Sequence, residues 1–188
     1  MRKHNAKAWV NCNKRLFPIY QRVKELLQGH TKISYRVEGG DWGLGSNAIH
    51  FLDQVQWLTG SPIESFENSE LDCEIFDSKR TGFKEFFGTL KARCRNGSEI
   101  ILTSQKNSNV PWSVTISAGS IEIKAQETSG ILKVTKEGDS FEETFSLVYQ
   151  SNLTQKVAKS VLQEGKSELA SYDESASVHQ LFLNSFLN

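Results

Sequence analysis

The chain has 188 residues, which is enough for one domain with a substantial apolar core but small for two. Its 22 basic and 22 acidic residues leave no net charge at pH 7, so no bulk electrostatic attraction to nucleic acid or to a membrane surface is expected. No apolar run approaches the length of a membrane span, and the basic first residues lack the apolar segment of a secretory signal, so we expect a cytoplasmic protein.

The three cysteines are Cys12, Cys73 and Cys94, which lie far apart and form no C-x-x-C pair. An odd number of widely spaced cysteines is typical of reduced thiols that fill space in the core of a cytoplasmic protein. We therefore predict three buried thiols and no metal site.

The first 60 residues alternate strands with helices. Pro18 favours a helix start because its fixed φ suits the first helical position, and Gly29 and Gly60 favour helix ends. The predicted elements are a strand over 8–12, a helix over 18–28, a strand over 33–37 and a helix over 46–59.

Residues 62 to about 149 are rich in alternating apolar and polar residues separated by turn signals, which predicts strands joined by hairpins. The predicted strands are 63–76, 83–95, 99–105, 112–117, 121–126, 132–136 and 141–149. Asn96 and Gly97 are typical of a two-residue hairpin turn. Helices are predicted over 151–163 and 173–187. Residues 1–188 are thus expected to form a single α+β domain, an open, mostly antiparallel sheet of at least six strands with helices on one face.

A glycine-rich loop over 38–45 precedes the helix at 46–59. Its glycines do not form the G-x-G-x-x-G dinucleotide fingerprint, and no P-loop lysine follows. We expect the loop to serve close backbone packing or substrate access rather than phosphate binding.

The helix over 46–59 has an apolar stripe and an opposite polar face. The stripe consists of Ala48, Phe51, Leu52, Val55 and Leu58, and the polar face of Ser46, His50, Asp53 and Trp57. A histidine on such a face can line a cleft and transfer protons near neutral pH. Asp53, one turn from His50, is a candidate to orient the imidazole. The alternative is a solvated or helix-packed histidine.

Lys91, Arg93 and Arg95 alternate along one predicted strand. A two-residue turn at 96–97 would place them opposite Ile100 and Leu102, giving a mixed basic and apolar face. This face is expected to be solvated or part of an interface; the alternative is an anion site for a carboxylated or phosphorylated sugar.

Two sequence motifs, one following the other along the chain, resemble the C-terminal half of the glucose–fructose oxidoreductase/inositol dehydrogenase (Gfo/Idh/MocA) family. They are Asn11-x-x-x-Arg15-x-x-Pro18 and Trp42-Gly-Leu44-x-Ser46-x-Ala48-x-His50-x-x-Asp53. The tail from Tyr149 to His179 is also similar to the closing helices of that family, so the resemblance covers nearly the whole chain.

The resemblance implies a domain whose open sheet often forms the dimer through its free face. It also implies that His50 is the catalytic proton donor and acceptor. Arg15, Trp42, Asn47 and Asp53 are the expected substrate-binding residues, and the expected ligand is a sugar-like small molecule.

The chain departs from the family pattern at Trp42 and Ala48, where the family has glycine, and at Ser46, where it has aspartate. The family's Rossmann domain and its Glu-Lys-Pro element, which supplies the active-site lysine, are missing from the sequence. We therefore expect a truncated or split member that binds neither NAD nor NADP and is not catalytic alone, with a separate Rossmann-domain chain as a partner. The alternative is a stand-alone, non-catalytic oligomerisation or ligand-binding module.

Overall fold

The computed structural model describes residues 6–78 and 80–186 and shows a large sheet with helices on one side. The helices are α1 (Pro18–Leu26), α2 (Leu44–Thr59), α3 (Gln150–Glu164) and α4 (Tyr172–Asn184), and a short 3-10 helix spans Asn13–Leu16. All four predicted helices are present with small shifts at their ends, although residue 187 of the last one lies outside the described residues.

The strands include most of those expected from the alternating pattern. They are β1 (Trp9–Val10), β2 (Ser34–Gly40), β3 (Ile63–Leu71), β4 (Phe76–Asp77), β5 (Lys84–Glu85), β6 (Gly88–Cys94), β7 (Glu99–Gln105), β8 (Ser113–Ala118), β9 (Ile121–Gln126), β10 (Ile131–Lys136), β11 (Asp139–Thr144) and β12 (Ala170–Ser171). The long strands predicted over 63–76 and 83–95 are each interrupted. In the stretch between β3 and β6 the chain instead forms the small hairpin of β4 and β5.

Eight strands form one sheet in the order β11-β10-β9-β8-β2-β7-β6-β3. Every neighbouring pair is antiparallel except β2 and β7, which are parallel. The prediction of a mostly antiparallel sheet is confirmed, and β2, from the N-terminal part of the chain, lies near its centre. A separate ribbon pairs β1 with β12 and so joins the two ends of the chain.

One face of the sheet forms the core and the other is polar. In β9, for example, Ile121 and Ile123 are buried, whereas Glu122 and Lys124 are exposed. Helices α2 and α4 pack on the apolar face. The polar outer face contains a row of residues in register across all eight strands, namely Glu67, Lys91, Ile101, Arg36, Thr115, Lys124, Lys133 and Glu142.

The predicted partners of Lys91 and Arg93 are wrong by one residue. Lys91 lies opposite Ile101 and Arg93 opposite Glu99, while Ile100 and Leu102 are in the core. The reason is the turn. The backbone of Cys94 pairs with that of Ser98, which leaves a loop of three residues. This loop ends at Gly97, which has a left-handed φ of 81°. Arg95 lies in this turn, so the expected basic and apolar face does not form.

The charges of this strand are instead paired with carboxylates on the outer face. Lys91 bonds to Glu70, and Arg93 lies 3.1 Å from Glu99. Both cations have an acidic partner, so the arrangement favours a solvated or interfacial face over an anion site.

Two of the three cysteines match the prediction of buried thiols. Cys12 and Cys94 are buried, and burial raises the pKa of Cys12 to about 12 and that of Cys94 to about 11. Cys73 is exposed, so the prediction is wrong for this residue, which lies in the irregular segment after β3. Among the described residues, no helix combines the length and apolar character needed to cross a membrane.

The glycine-rich loop is shaped by close backbone packing. A Cβ atom at Gly40 would lie 1.9 Å from the carbonyl oxygen of Ser108, and one at Gly39 would lie 2.3 Å from the Cα atom of Trp112. Because the clashing atoms at these two positions belong to the backbone, they cannot move aside cheaply.

We predict that Gly40→Ala lowers the free energy of unfolding by about 1–3 kcal/mol because the backbone must shift. Urea unfolding measures the effect. Ser34→Ala at the exposed start of the same strand is the matched control and should change stability little. Equal stabilities for the two variants would show that the 108–112 segment is not fixed against β2.

Candidate functional site

His50 lines a cleft of about 300 Å³ built by four segments of the chain. The lining residues are Lys14, Gly40, Asp41, Trp42, Asn47, His50, Phe51 and Trp112. Lys14 comes from the 3-10 helix, residues 40–42 from the end of β2 and the loop after it, residues 47–51 from the first turns of α2, and Trp112 directly precedes β8. The structure therefore brings together three of the five predicted site residues: His50, Trp42 and Asn47.

The loop after β2 is held by hydrogen bonds to β7 and to the turn that follows it. Asp41 adopts a left-handed φ of 47°, and its carboxylate accepts a hydrogen bond of 3.0 Å from the backbone N–H of Asn107. The Trp42 indole N–H donates to the carbonyl oxygen of Thr103 at 2.7 Å. These bonds fix the rim of the cleft next to the start of α2.

Aromatic rings form one wall of the cleft. Trp42 and Trp112 each meet the ring of Phe51 edge to face, with centroids 5.3 Å and 5.6 Å apart. The Asn47 amide donates to the backbone carbonyls of Trp42 and Gly43. Aromatic walls beside a few fixed polar groups are the usual composition of a small-molecule site.

Lys14 is a buried cation in this cleft that the sequence analysis missed. Its ammonium lies 2.7 Å from Glu127 and 4.5 Å and 4.8 Å from the ring centroids of Phe51 and Trp112. Glu127 also accepts a hydrogen bond from Tyr20. Burial lowers the pKa of Lys14, and Glu127 opposes that shift. The only signal for Lys14 in the sequence is its position beside Arg15 in the first motif.

The His50 imidazole is partly buried and has no hydrogen-bond partner at its Nδ1 atom among the described residues. Burial lowers the pKa of His50, and the nearby charges of Lys14 and His179 lower it further. These effects favour the neutral imidazole over the protonated one. Because Nδ1 is buried, Nε2 is the ring nitrogen that can reach a molecule in the cleft.

Arg15 and Asp53 do not line the cleft but form a buried ion pair beside it. Arg15 Nη2 lies 2.6 Å from Asp53 Oδ1, and Arg15 Nε donates to Oδ2 at 3.1 Å. Arg15 Nη2 also lies 3.1 Å from Glu174 on α4. The hypothesis that Asp53 orients His50 is therefore wrong, since its carboxylate is occupied by the guanidinium.

The polar face of α2 is consequently more buried than the sequence indicates. Asp53 is 1% exposed and Gln54 is fully buried, with its amide oxygen accepting a hydrogen bond from Tyr35 at 2.7 Å. Helical periodicity marked Asp53 as outward facing because it cannot reveal the 3-10 helix and α4, which cover that side.

A carboxylate lies beside Ser46, the position at which the family pattern has aspartate. Glu85, buried on β5, accepts hydrogen bonds from the Ser46 hydroxyl at 2.8 Å and from the backbone N–H of Gly45. An acid at this point satisfies a free N–H group of the first helical turn and favours the helix dipole. Glu85 is far from Ser46 in sequence, so no local pattern indicates the pair.

The described part of the chain contains no cluster of three or more His, Cys, Asp or Glu side chains arranged to hold a metal ion. The glycine loop is filled by its own packing against residues 108–112, as described above. Its residues thus do not fit the pyrophosphate of a dinucleotide.

No protein-family model matches the chain, and no curated protein matches it in sequence. Solved structures do match its fold. A dehydrogenase (MviM) from Clostridium difficile is similar over 94% of this chain and 61% of its own, with 16% identity and a TM-score of 0.65. UDP-N-acetylglucosamine 3-dehydrogenase GnnA from Acidithiobacillus ferrooxidans is similar over 96% of this chain and 62% of its own, with 13% identity and a TM-score of 0.67.

A third neighbour is a super-repressor mutant of Gal80p from Saccharomyces cerevisiae. It is similar over 89% of this chain and 55% of its own, with 14% identity and a TM-score of 0.58. The chain therefore spans 55–62% of the length of these three structures. They are proteins of the Gfo/Idh/MocA type, and the resemblance predicted from the sequence is confirmed for the fold.

We predict that Asp53→Ala lowers the free energy of unfolding by about 3–5 kcal/mol, because it leaves the buried Arg15 guanidinium short of its main partner. Thermal or urea unfolding measures the change. Asp77→Ala, which breaks the exposed pair with Lys84, is the matched control and should have little effect. Equal losses in the two variants would contradict a structural role for the buried pair.

Proposed function

Because the chain has the fold of a Gfo/Idh/MocA-type C-terminal domain, we propose that it is the substrate-binding and dimerisation domain of an NAD(P)-dependent sugar oxidoreductase. The observation that carries this proposal is the His50 imidazole, whose pKa is lowered by burial, in a cleft with aromatic walls and fixed polar groups. Aromatic faces stack against sugar rings, and the polar rim provides partners for hydroxyl groups.

His50 is the proposed proton acceptor of the reaction. Oxidation of a secondary alcohol removes a proton from the hydroxyl group and a hydride from the same carbon. A neutral Nε2 atom facing the cleft can accept that proton, and it returns the proton in the reverse direction. Phe51 and Trp112 limit the access of water on one side, which strengthens the hydrogen bond between the hydroxyl group and the imidazole.

The hydride acceptor is expected to be held elsewhere. NAD(P) supplies hydride transfer when it is bound by a Rossmann domain, whereas the residues of this chain do not fit a dinucleotide. We propose that a Rossmann domain outside residues 1–188 brings the nicotinamide to the open side of the His50 cleft. A separate chain is one source of this domain.

A second candidate function is a non-catalytic ligand-binding module. The fold similarity to a super-repressor mutant of Gal80p favours this alternative, because one fold serves different functions. The cleft would then bind a sugar-like ligand without changing it. Binding alone does not distinguish the two functions; turnover in the presence of the Rossmann domain does.

Ligand binding to this cleft is tested through the tryptophan indole signals in NMR. The chain has four tryptophans, of which Trp42 and Trp112 line the cleft and Trp9 and Trp57 do not. We predict that at least one of three probes, UDP-N-acetylglucosamine, D-glucose or myo-inositol, shifts the signals of Trp42 and Trp112 only. NAD⁺ at the same concentration should shift neither.

Shifts confined to Trp9 or Trp57, or no shift with any probe at millimolar concentration, would contradict a sugar site at His50. His50→Gln provides a matched variant of similar size. It should weaken the binding of the active probe because it removes the ring nitrogen that meets the hydroxyl group.

The outer face of the sheet is the proposed dimer interface. It extends across eight strands, is not covered by the chain's own helices and carries paired charges with Ile101 in its central row. A stable interface of this kind needs more than about 1,000 Å² of buried surface, which a face of this extent can supply.

We predict that light scattering at micromolar concentration shows twice the mass of the chain. Thr115→Lys should give a monomer because it places a further cation between Arg36 and Lys124, in a row that already contains Lys133. Thr154→Lys on the exposed side of α3 is the control and should remain dimeric. A wild-type monomer, or a dimer unaffected by Thr115→Lys, would contradict this interface.

A further inference from the structure

His50 is surrounded by charges on several elements, and most of these are already paired. On its own helix, Asp53 is bound to Arg15, and Arg15 also contacts Glu174 of α4. On α4, His179 donates from Nδ1 to the carbonyl oxygen of Ser175 at 2.8 Å. Asp41 on the loop after β2 and Lys14 on the 3-10 helix line the same cleft as His50.

Lys14 differs from an ordinary surface lysine because its position is fixed. It is 9% exposed, bonded to Glu127 and surrounded by the rings of Tyr20, Phe51 and Trp112. Cation–π contacts and a buried carboxylate stabilise a charged ammonium at this point. Glu127 opposes the lowering of the Lys14 pKa by burial, so Lys14 holds its ammonium at a fixed position in the cleft.

A protonated His50 would meet two separate penalties here. The ring is partly buried and its Nδ1 atom has no partner among the described residues, so neither water nor a hydrogen bond there offsets the cost of placing a charge on the ring. The imidazolium would also carry a second positive charge into the cleft that contains the Lys14 ammonium. Both effects favour the neutral ring.

We propose that Lys14 is a positioning residue of this cleft, whose fixed ammonium keeps the His50 imidazole unprotonated and therefore ready to accept the proton of a substrate hydroxyl. The role of His50 as acceptor rests on the proposed function. The electrostatic effect of Lys14 on His50 does not, because it depends only on the geometry of the free protein. Burial and the Lys14 charge both lower the pKa of His50, in agreement with this inference.

The test is an NMR titration of the His50 ring in the full chain without ligand. We expect the wild-type midpoint to lie below the value of about 6.5 that is ordinary for histidine. The double variant Lys14→Met/Glu127→Gln removes the cation without leaving its partner as an unpaired buried charge. Its midpoint should rise by about half to one pH unit, the size expected for one nearby charge under partial screening.

Lys159→Met/Glu164→Gln is the matched control. It makes the same two changes at exposed positions of α3 and should leave the His50 midpoint unchanged. Lys14→Arg keeps the cation and should keep the midpoint low. An unchanged midpoint in the folded Lys14→Met/Glu127→Gln protein, or a wild-type midpoint at or above the ordinary histidine value of about 6.5, would overturn the proposal.

If the double variant does not fold, Lys14→Gln/Glu127→Gln replaces it. The two amides remove both charges and can keep a hydrogen bond between them, so the His50 midpoint must rise in the same way; an unchanged midpoint overturns the inference. The titration uses no sugar probe. Failure of the sugar probes to bind would therefore contradict the proposed function and leave the titration result unaffected. A titration that shows no effect of Lys14 on His50 would contradict this inference and leave the proposed function unaffected.

Discussion

The buried ion pair between Arg15 and Asp53 determines where the cleft lies. Lys14 directly precedes Arg15, and His50 lies one helical turn before Asp53, so the pair fixes both walls of the cleft at once. Through Glu174 it also holds α4 against these two segments. Two charges removed from water are costly unless their geometry is close to ideal, and the two-point contact of the guanidinium with the carboxylate meets that requirement.

A second buried pair, Lys14 with Glu127, leaves the interior beside the cleft nearly neutral overall. Its two opposite charges nevertheless create a strong local electric field. The cation points toward the cleft and the carboxylate lies behind it, bonded to Tyr20 as well. A neutral ligand such as a sugar then enters without a large net electrostatic penalty. The imidazole next to the ammonium nevertheless experiences a positive field, which is the condition that favours an unprotonated base.

The sequence predicted the sheet and helices well because alternation and helical spacing report which side of each element is buried. It failed where contacts between distant segments decide the outcome. The turn after Cys94 uses three residues instead of two, which moved every partner of Lys91 and Arg93 by one position. Asp53 was assigned to a solvent-exposed face because the helical pattern of α2 does not reveal α4, which lies about 120 residues later in the chain and covers that face. Of the predicted site residues, His50, Trp42 and Asn47 come from adjacent positions around one helix start and therefore lie together.

The environment of His50 also constrains its chemistry. A carboxylate partner would raise the basicity of the imidazole, but Asp53 is engaged by Arg15, and Glu85 is engaged by the start of α2. Without such a partner and beside Lys14, His50 is a weaker base than an ordinary histidine, and its neutral form is favoured. Weak basicity reduces the driving force for proton transfer while increasing the fraction of protein that is ready for it. This balance suits the proposed step, in which the proton leaves as hydride departs from the same carbon, since the developing carbonyl makes the hydroxyl proton more acidic as the reaction proceeds.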